Sequence, residues 1–170
     1  MEKIKVLIDQ KSIQKRLQEL ANELDNYYKD KEIVVICIMR GSVFFTVDLT
    51  MKMNTKMKIE FLTISSYEGT ESTGQIRLIQ DLRESIEGKN VLILEDIVDT
   101  GISMNYTLEY LKTKKPKSIK LCTLVNKQER RKIEVPIDYI GFEIPNKYIV
   151  GYGFDIDNYY RNLPYIGYIE

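Results

Sequence analysis

The stretch 91–103, VLILEDIVDTGIS, passes abruptly from apolar to anionic to hydroxyl-rich residues, and that order limits what the chain can fold into. Val91, Leu92, Ile93 and Leu94 in succession suit a strand buried on both faces, which requires a sheet covered from both sides. Glu95 and Asp96 follow at once, then Asp99, and Thr100, Gly101, Ile102 and Ser103 open what reads as a helix. A glycine and hydroxyls at a helix start suit phosphate, because the first backbone N–H groups are unpaired and the helix dipole is positive there. The segment reads as a strand, an acidic turn and a phosphate cradle.

The flanking sequence supplies the cover. Residues 4–8 read as a short strand, and Ile13, Leu17, Leu20, Ala21, Leu24 and Tyr28 then recur at helical spacing. Residues 33–39 form a second uninterrupted apolar run, stopped by Arg40-Gly41-Ser42, and 43–53 look helical. Next come a strand at 59–65, a polar loop at 66–75 and a returning strand at 76–82. A helix at 103–111 and a strand at 119–125 follow, after which the pattern loosens into a tyrosine-rich tail that reads as a cap on the same domain. Strands alternating with helices predict an α/β fold, a mostly parallel twisted sheet flanked by helices. Ligands of such sheets sit beyond the carboxyl ends of the strands, at a topological switch point.

Composition removes several classes of function. A chain of 170 residues with 44% hydrophobic content suits one domain over 1–170 with a sizeable core. Lys and Arg number 25, as do Asp and Glu, so no broad basic field draws in nucleic acid and none is expected as a partner. The absence of histidine rules out imidazole acid–base chemistry and His-ligated zinc, leaving proton transfer to carboxylates, Lys or Tyr. Cys37 and Cys122 lie inside apolar runs and read as core residues of a protein in a reducing compartment. The longest apolar stretch, 33–39, is too short to span a bilayer, and the start lacks a leader's apolar segment, so a cytoplasmic, unanchored protein is expected. No G-x-x-x-x-G-K-[ST] occurs, and Gly151-Tyr152-Gly153 fails as a dinucleotide fingerprint because position 156 is Ile.

Adjacent carboxylates such as Glu95 and Asp96 suit the two hydroxyls of a ribose, directly or through a hydrated magnesium ion. A solvated turn residue beside a helix cap would leave the same pattern, and Thr100 and Ser103 could cap a helix with no ligand. The loop 66–75 is polar and long enough for a lid that excludes water, or simply for a hairpin connection.

EDIVDTG followed by Ile-Ser resembles the phosphoribosyl-diphosphate signature of the type I phosphoribosyltransferases. MRGS at 39–42, SSYEGTESTG at 65–74, LVNK at 124–127 and GFEIPNKYIVGYGFD at 141–155 are similar, in order and spacing, to its hypoxanthine-guanine branch. The resemblance implies that family's fold, with a small hood built from the chain ends. It implies an enzyme of purine salvage that moves a 5-phosphoribosyl group from phosphoribosyl diphosphate to N9 of hypoxanthine or guanine, releasing diphosphate, with Mg2+ as cofactor.

The resemblance also assigns roles. Glu95 and Asp96 would hold the ribose diol and a magnesium ion, and Asp99, Thr100, Gly101, Ile102 and Ser103 the ribose 5′-phosphate. Asp99 would be the general base or acid at the purine N7. Some relatives carry Lys where Ile102 stands, so phosphate binding here would rely on backbone N–H groups. Arg40, Gly41 and Arg161 would contact diphosphate, and Asp155 would ligate its magnesium on the purine side. Lys127 would donate to the 6-oxo group, Tyr148 would stack on the purine, and the backbone of Ile149 would read its edge. A Lys is a donor only, which favours a 6-oxo over a 6-amino purine. Ser66 and Tyr67 match residues of the lid, the Met39–Arg40 peptide matches a cis bond, and a homodimer or homotetramer is expected.

Overall fold

The protein is described by a computed structural model covering residues 3–67 and 75–169. β1 (Ile4–Ile8) leads into α1 (Gln10–Tyr27), which starts where the Asp9 carboxylate accepts the Ser12 N–H at 2.7 Å. That bond satisfies one of the unpaired donors of a helix start. Ile13, Leu17, Leu20, Ala21 and Leu24 form one fully buried stripe along α1, as their spacing predicts.

β2 (Glu32–Met39), α2 (Val43–Thr50), β3 (Lys56–Tyr67) and β4 (Gln75–Gln80) come next. β5 (Asn90–Val98), α3 (Ile102–Lys112), β6 (Ser118–Asn126), a short 3-10 turn (Gln128–Arg130) and β7 (Tyr139–Glu143) complete the main layer. Its six strands lie in the order β4-β3-β2-β5-β6-β7, parallel except for β4 against β3. β8 (Ile149–Val150) and β9 (Ile166–Ile169) pair with β1 in a small antiparallel sheet, order β1-β9-β8, joining the two ends of the chain as a hood.

Period-two alternation divides each central strand between two cores. Ile33 and Val35 of β2 and Leu92 and Leu94 of β5 pack with α1 and α2. Val34, Ile36, Ile38, Val91 and Ile93 pack with Met104, Leu108 and Leu111 of α3. The sheet is therefore covered on both faces, as the uninterrupted apolar runs require. β2 connects through α2 to β3 on one side, and β5 through α3 to β6 on the other. The switch point thus falls between the carboxyl ends of β2 and β5.

Three expectations need correction. β5 does not stop before the carboxylates but runs through Glu95 and Asp96 to Val98, paired with β6 from Asn90↔Ser118 to Val98↔Asn126. The acidic pair is thus a strand end rather than a turn; the backbone ladder tolerates polar side chains where the helices no longer cover the sheet. α2 ends at Thr50, before Met53, because the N–H groups of Lys52 and Met53 turn back to the carbonyls of Leu49 and Thr50. The tail forms three strands that the loosened pattern did not show, two of them four residues or fewer, too short to display a period. Residues 68–74 of the expected lid and the side chains of Ser66 and Tyr67 lie outside the described residues. Among the described residues no helix is long and apolar enough to cross a membrane.

A polar clasp ties α1 to the start of β3. Asp25 accepts from the Asn54 N–H at 2.9 Å, the Thr55 N–H at 2.9 Å and the Thr55 hydroxyl at 2.6 Å. Partial burial pushes this carboxyl up, but the Thr55 and Asn54 donors outweigh it and hold it below its ordinary 3.8. We expect Asp25→Ala to cost about 1–3 kcal/mol of stability at neutral pH. The deficit should be complete above the unfolded value of 3.8 and vanish as pH falls through the lower folded value. Urea titrations showing the same deficit at pH 7 and pH 2 would refute the clasp.

Candidate active site

The switch point opens into a cleft of about 440 Å³, within the roughly 300–1,000 Å³ typical of small-molecule sites. Its walls include Arg40, Gly41, Glu95, Asp96, Asp99, Thr100, Gly101, Ser103, Asp155 and Arg161. A hollow of about 530 Å³ lies at the opposite, amino ends of β2 and β3, lined by Asp25, Lys29, Lys31, Glu32 and Lys56 among others. Its size does not make it the better site, because its charges alternate in sign and ligands of parallel sheets bind at the other end. The peptide between Met39 and Arg40, at the mouth of the cleft, is cis.

Glu95 and Asp96 form the floor. Glu95 Oε1 accepts the fully buried Ser42 hydroxyl at 3.2 Å and the Asp96 N–H at 2.9 Å, while Asp96 Oδ1 accepts the Ile97 N–H at 2.8 Å. Burial, then the neighbouring Asp96, push the Glu95 carboxyl well above its ordinary value. Burial also raises Asp96, against the pull of its hydrogen bonds and of Arg161. Two crowded carboxylates of this kind attract a cation or hydroxyl donors. Gly41 makes room for them: a Cβ there would stand 1.8 Å from Asp96 Oδ2.

The loop after β5 is held from beneath. The Arg131 side chain is only 4% exposed and donates to the Asp99 carbonyl at 3.0 Å and to Asn126 Oδ1. The Thr100 carbonyl accepts from the N–H groups of Lys132 and Ile133, at 2.8 and 3.0 Å. Gly101 has φ +84°, and a Cβ on it would approach the Ile133 carbonyl oxygen to 2.1 Å, so only glycine suits the position. α3 begins at Ile102 with no side-chain cap bond from Gly101. Thr100, just before it, supplies a long cap of its own, its Oγ1 accepting the Ile102 N–H at 3.4 Å.

Asp99 projects into the same space. Its Oδ2 meets Arg130 at 3.3 Å, and its buried Oδ1 has no hydrogen-bond partner among the described residues. Across the cleft, Arg161 pairs with Asp155 at 2.9 Å, and Asp155 Oδ2 accepts the Asn158 N–H at 2.8 Å.

Ile102, Lys127, Tyr148 and Ile149 lie outside the cleft walls. Lys127 is buried; its N–H reaches the Val98 carbonyl at 3.0 Å and its Nζ the Lys147 carbonyl at 2.5 Å. Burial pulls the Lys127 ammonium below its ordinary value, opposed by Asp99 nearby. Tyr148 is 64% exposed, with its hydroxyl a long 3.5 Å from the Asp155 carbonyl. Ile149 is buried in β8 opposite Tyr168. Of these residues, Tyr148 leads into β8 of the hood and Ile149 opens it, whereas Lys127 follows the end of β6 and Ile102 opens α3. Ser42, Arg130 and Arg131 were not singled out from sequence; a serine at a helix start and two arginines in a polar stretch carry no local mark of burial or pairing.

Among the described residues no three acidic, Cys or His side chains converge to hold a metal ion by themselves. Glu95, Asp96 and Asp155 therefore suit magnesium only in its usual manner, with one or two carboxylates and the remaining positions filled by water and substrate oxygens. The raised Glu95 and Asp96 carboxyls are consistent with a place that a cation relieves.

Residues 5–157 match the model of the phosphoribosyl transferase domain. The hypoxanthine-guanine-xanthine phosphoribosyltransferase of Tritrichomonas foetus is 48% identical, over 98% of this chain and 91% of that protein. The hypoxanthine-guanine phosphoribosyltransferase of Bacillus subtilis is 41% identical, over 98% and 93%. The solved hypoxanthine-guanine phosphoribosyltransferase of Bacillus anthracis superposes with a TM-score of 0.94 at 39% identity, covering 100% of both chains. With the mostly parallel sheet, the hood and the cleft at the switch point, these matches establish that the chain belongs to the type I phosphoribosyltransferase family, in its hypoxanthine-guanine branch.

Proposed function

We propose that this cleft transfers the 5-phosphoribosyl group of phosphoribosyl diphosphate to N9 of hypoxanthine or guanine, forming the nucleotide and releasing diphosphate in purine salvage. The observation that carries the reading is the carboxylate pair at the end of β5 standing directly before a helix start whose one side-chain cap, Thr100, is a long 3.4 Å bond, with Asp99 between them. A ribose diol suits the first and a phosphate the second. The 5′-phosphate would rest on the backbone of Thr100, Gly101, Ile102 and Ser103, and Arg40, Gly41 and Arg161 would face the diphosphate.

In this reading N9 forms its bond to C1′ as the C1′–O bond breaks and its electron pair leaves with diphosphate. The N7 proton of the purine would pass to Asp99; that its buried Oδ1 has no partner among the described residues supports this role. Glu95, Asp96 and Asp155 would hold magnesium, whose charge, when bound, neutralises the leaving diphosphate. Lys127 has three hydrogens and spends one on the Lys147 carbonyl, so a second can reach a 6-oxo group. Tyr148 offers an exposed ring for the purine face and Ile149 its backbone for the edge. Ser66 and Tyr67 would close over the reacting atoms as a lid. A single domain, a cytoplasmic location and a homodimer or homotetramer complete the reading.

Asp99→Asn should lower kcat by about 10²–10⁴-fold, with phosphoribosyl-diphosphate affinity, measured by calorimetry, within a few-fold of wild type. Unchanged turnover would reject the proton-transfer role. Lys127→Ala should raise the KM for hypoxanthine and narrow its preference over adenine; nucleotide assays showing the same preference would exclude the 6-oxo contact.

A further inference from the structure

One buried tyrosine outside every role assigned above connects the tail to the floor of the cleft. Residues 151–153 all have positive φ: Gly151 at 91°, Tyr152 at 52° and Gly153 at 102°. A bulky side chain in that region is an outlier and persists only where its surroundings determine it. The surroundings of Tyr152 do so. It is 4% exposed, its hydroxyl donates to Asp48 Oδ2 of α2 at 2.5 Å, and Gln14 of α1 donates to the same oxygen at 2.9 Å. Burial and Asp48 together push the phenol up, so the hydroxyl stays a donor.

Gly153 is pressed onto the loop that follows β2: a Cβ there would stand 2.0 Å from the Gly41 carbonyl oxygen. Its N–H donates to the Arg161 carbonyl at 2.9 Å, and the Arg161 guanidinium donates back to the Gly153 carbonyl. Gly41 in turn abuts Asp96. The contacts close a ring: loop 40–42, α2 through Asp48, Tyr152, Gly153, and back to Gly41. The purine side hangs on other supports, since Lys127 rides on the end of β6 and β8 is paired with β9.

From this ring we infer that Tyr152 and Asp48 are positioning residues for the diphosphate subsite, their hydrogen bond setting how closely Gly153 and Arg161 approach Gly41. The inference rests on the proposed function, which assigns diphosphate to Arg40, Gly41 and Arg161. Without the bond the turn keeps its backbone bonds, among them the Tyr152 N–H to the Leu163 carbonyl at 2.8 Å, but loses its tie to α2, and Arg161 shifts with it.

The test measures magnesium diphosphate binding by calorimetry, and the KM values for phosphoribosyl diphosphate and hypoxanthine, in folded variants checked by urea melts. Tyr152→Phe keeps the ring and loses only the donor; it should weaken diphosphate about tenfold, the size of one hydrogen bond to a charged acceptor, and leave the hypoxanthine KM within about twofold. Asp48→Leu should do the same, the double variant should be no worse than either single one, and Asp48→Asn, which retains an acceptor oxygen, should restore near wild-type affinity. If Tyr152→Phe does not fold, Asp48→Asn against Asp48→Leu decides. Unchanged diphosphate affinity, equal weakening of diphosphate and hypoxanthine, or additive effects in the double variant would overturn the positioning role while wild-type binding upheld the function. A wild-type protein that binds no diphosphate would overturn both.

Discussion

The parallel pairing of β2 with β5, from Ile33↔Asn90 to Cys37↔Leu94, is the constraint on which the remaining structure depends. Both strands are buried on both faces, so their side chains define two cores at once, one under α1 and α2 and one under α3. Their connections leave in opposite directions, which parts the chain at their carboxyl ends. Polar groups near the middle of the sheet emerge at that gap, and Gly41 and Asp96 meet across it with no room for a side chain on Gly41.

Around the gap, polar contacts rather than apolar packing set the geometry. Crowding Glu95 beside Asp96 in a half-buried place disfavours their charged forms, and the Ser42 hydroxyl offsets only part of this. The loop after β5 is shaped by buried Arg131 and by two N–H groups on the Thr100 carbonyl, and the start of α3 has only the long Thr100 hydroxyl cap. Stability forgone at such groups is the usual sign of a place built for a ligand. The same holds across the cleft, where Asp155 and Arg161 pair with each other and with neighbours in the 153–158 turn.

Much of this was legible in the chain. The apolar stripe of α1 and the uninterrupted runs of β2 and β5 show which faces are buried, because periodicity reports burial directly. The acidic and hydroxyl-rich order after Leu94 pointed to what became a wall of the cleft, although a solvated turn beside a helix cap would have left the same pattern. The exact end of β5 was not legible: Glu95 and Asp96 look like a turn until the ladder to β6 shows them still paired. Nor were β7 to β9, whose few residues carry no period.

By itself the sequence determined the alternation of strands and helices, the two-sided burial of the central strands and the local chemistry of residues 95–103, all of which depend on neighbours along the chain. Only the tertiary structure decided which distant segments meet: Gly41 against Asp96, Gly153 against Gly41, Arg131 beneath Asp99, and Tyr152 against Asp48. Those contacts follow from strand order and from turns at positive φ. Neither leaves a local pattern, because each is settled by the combined packing of elements far apart in the chain.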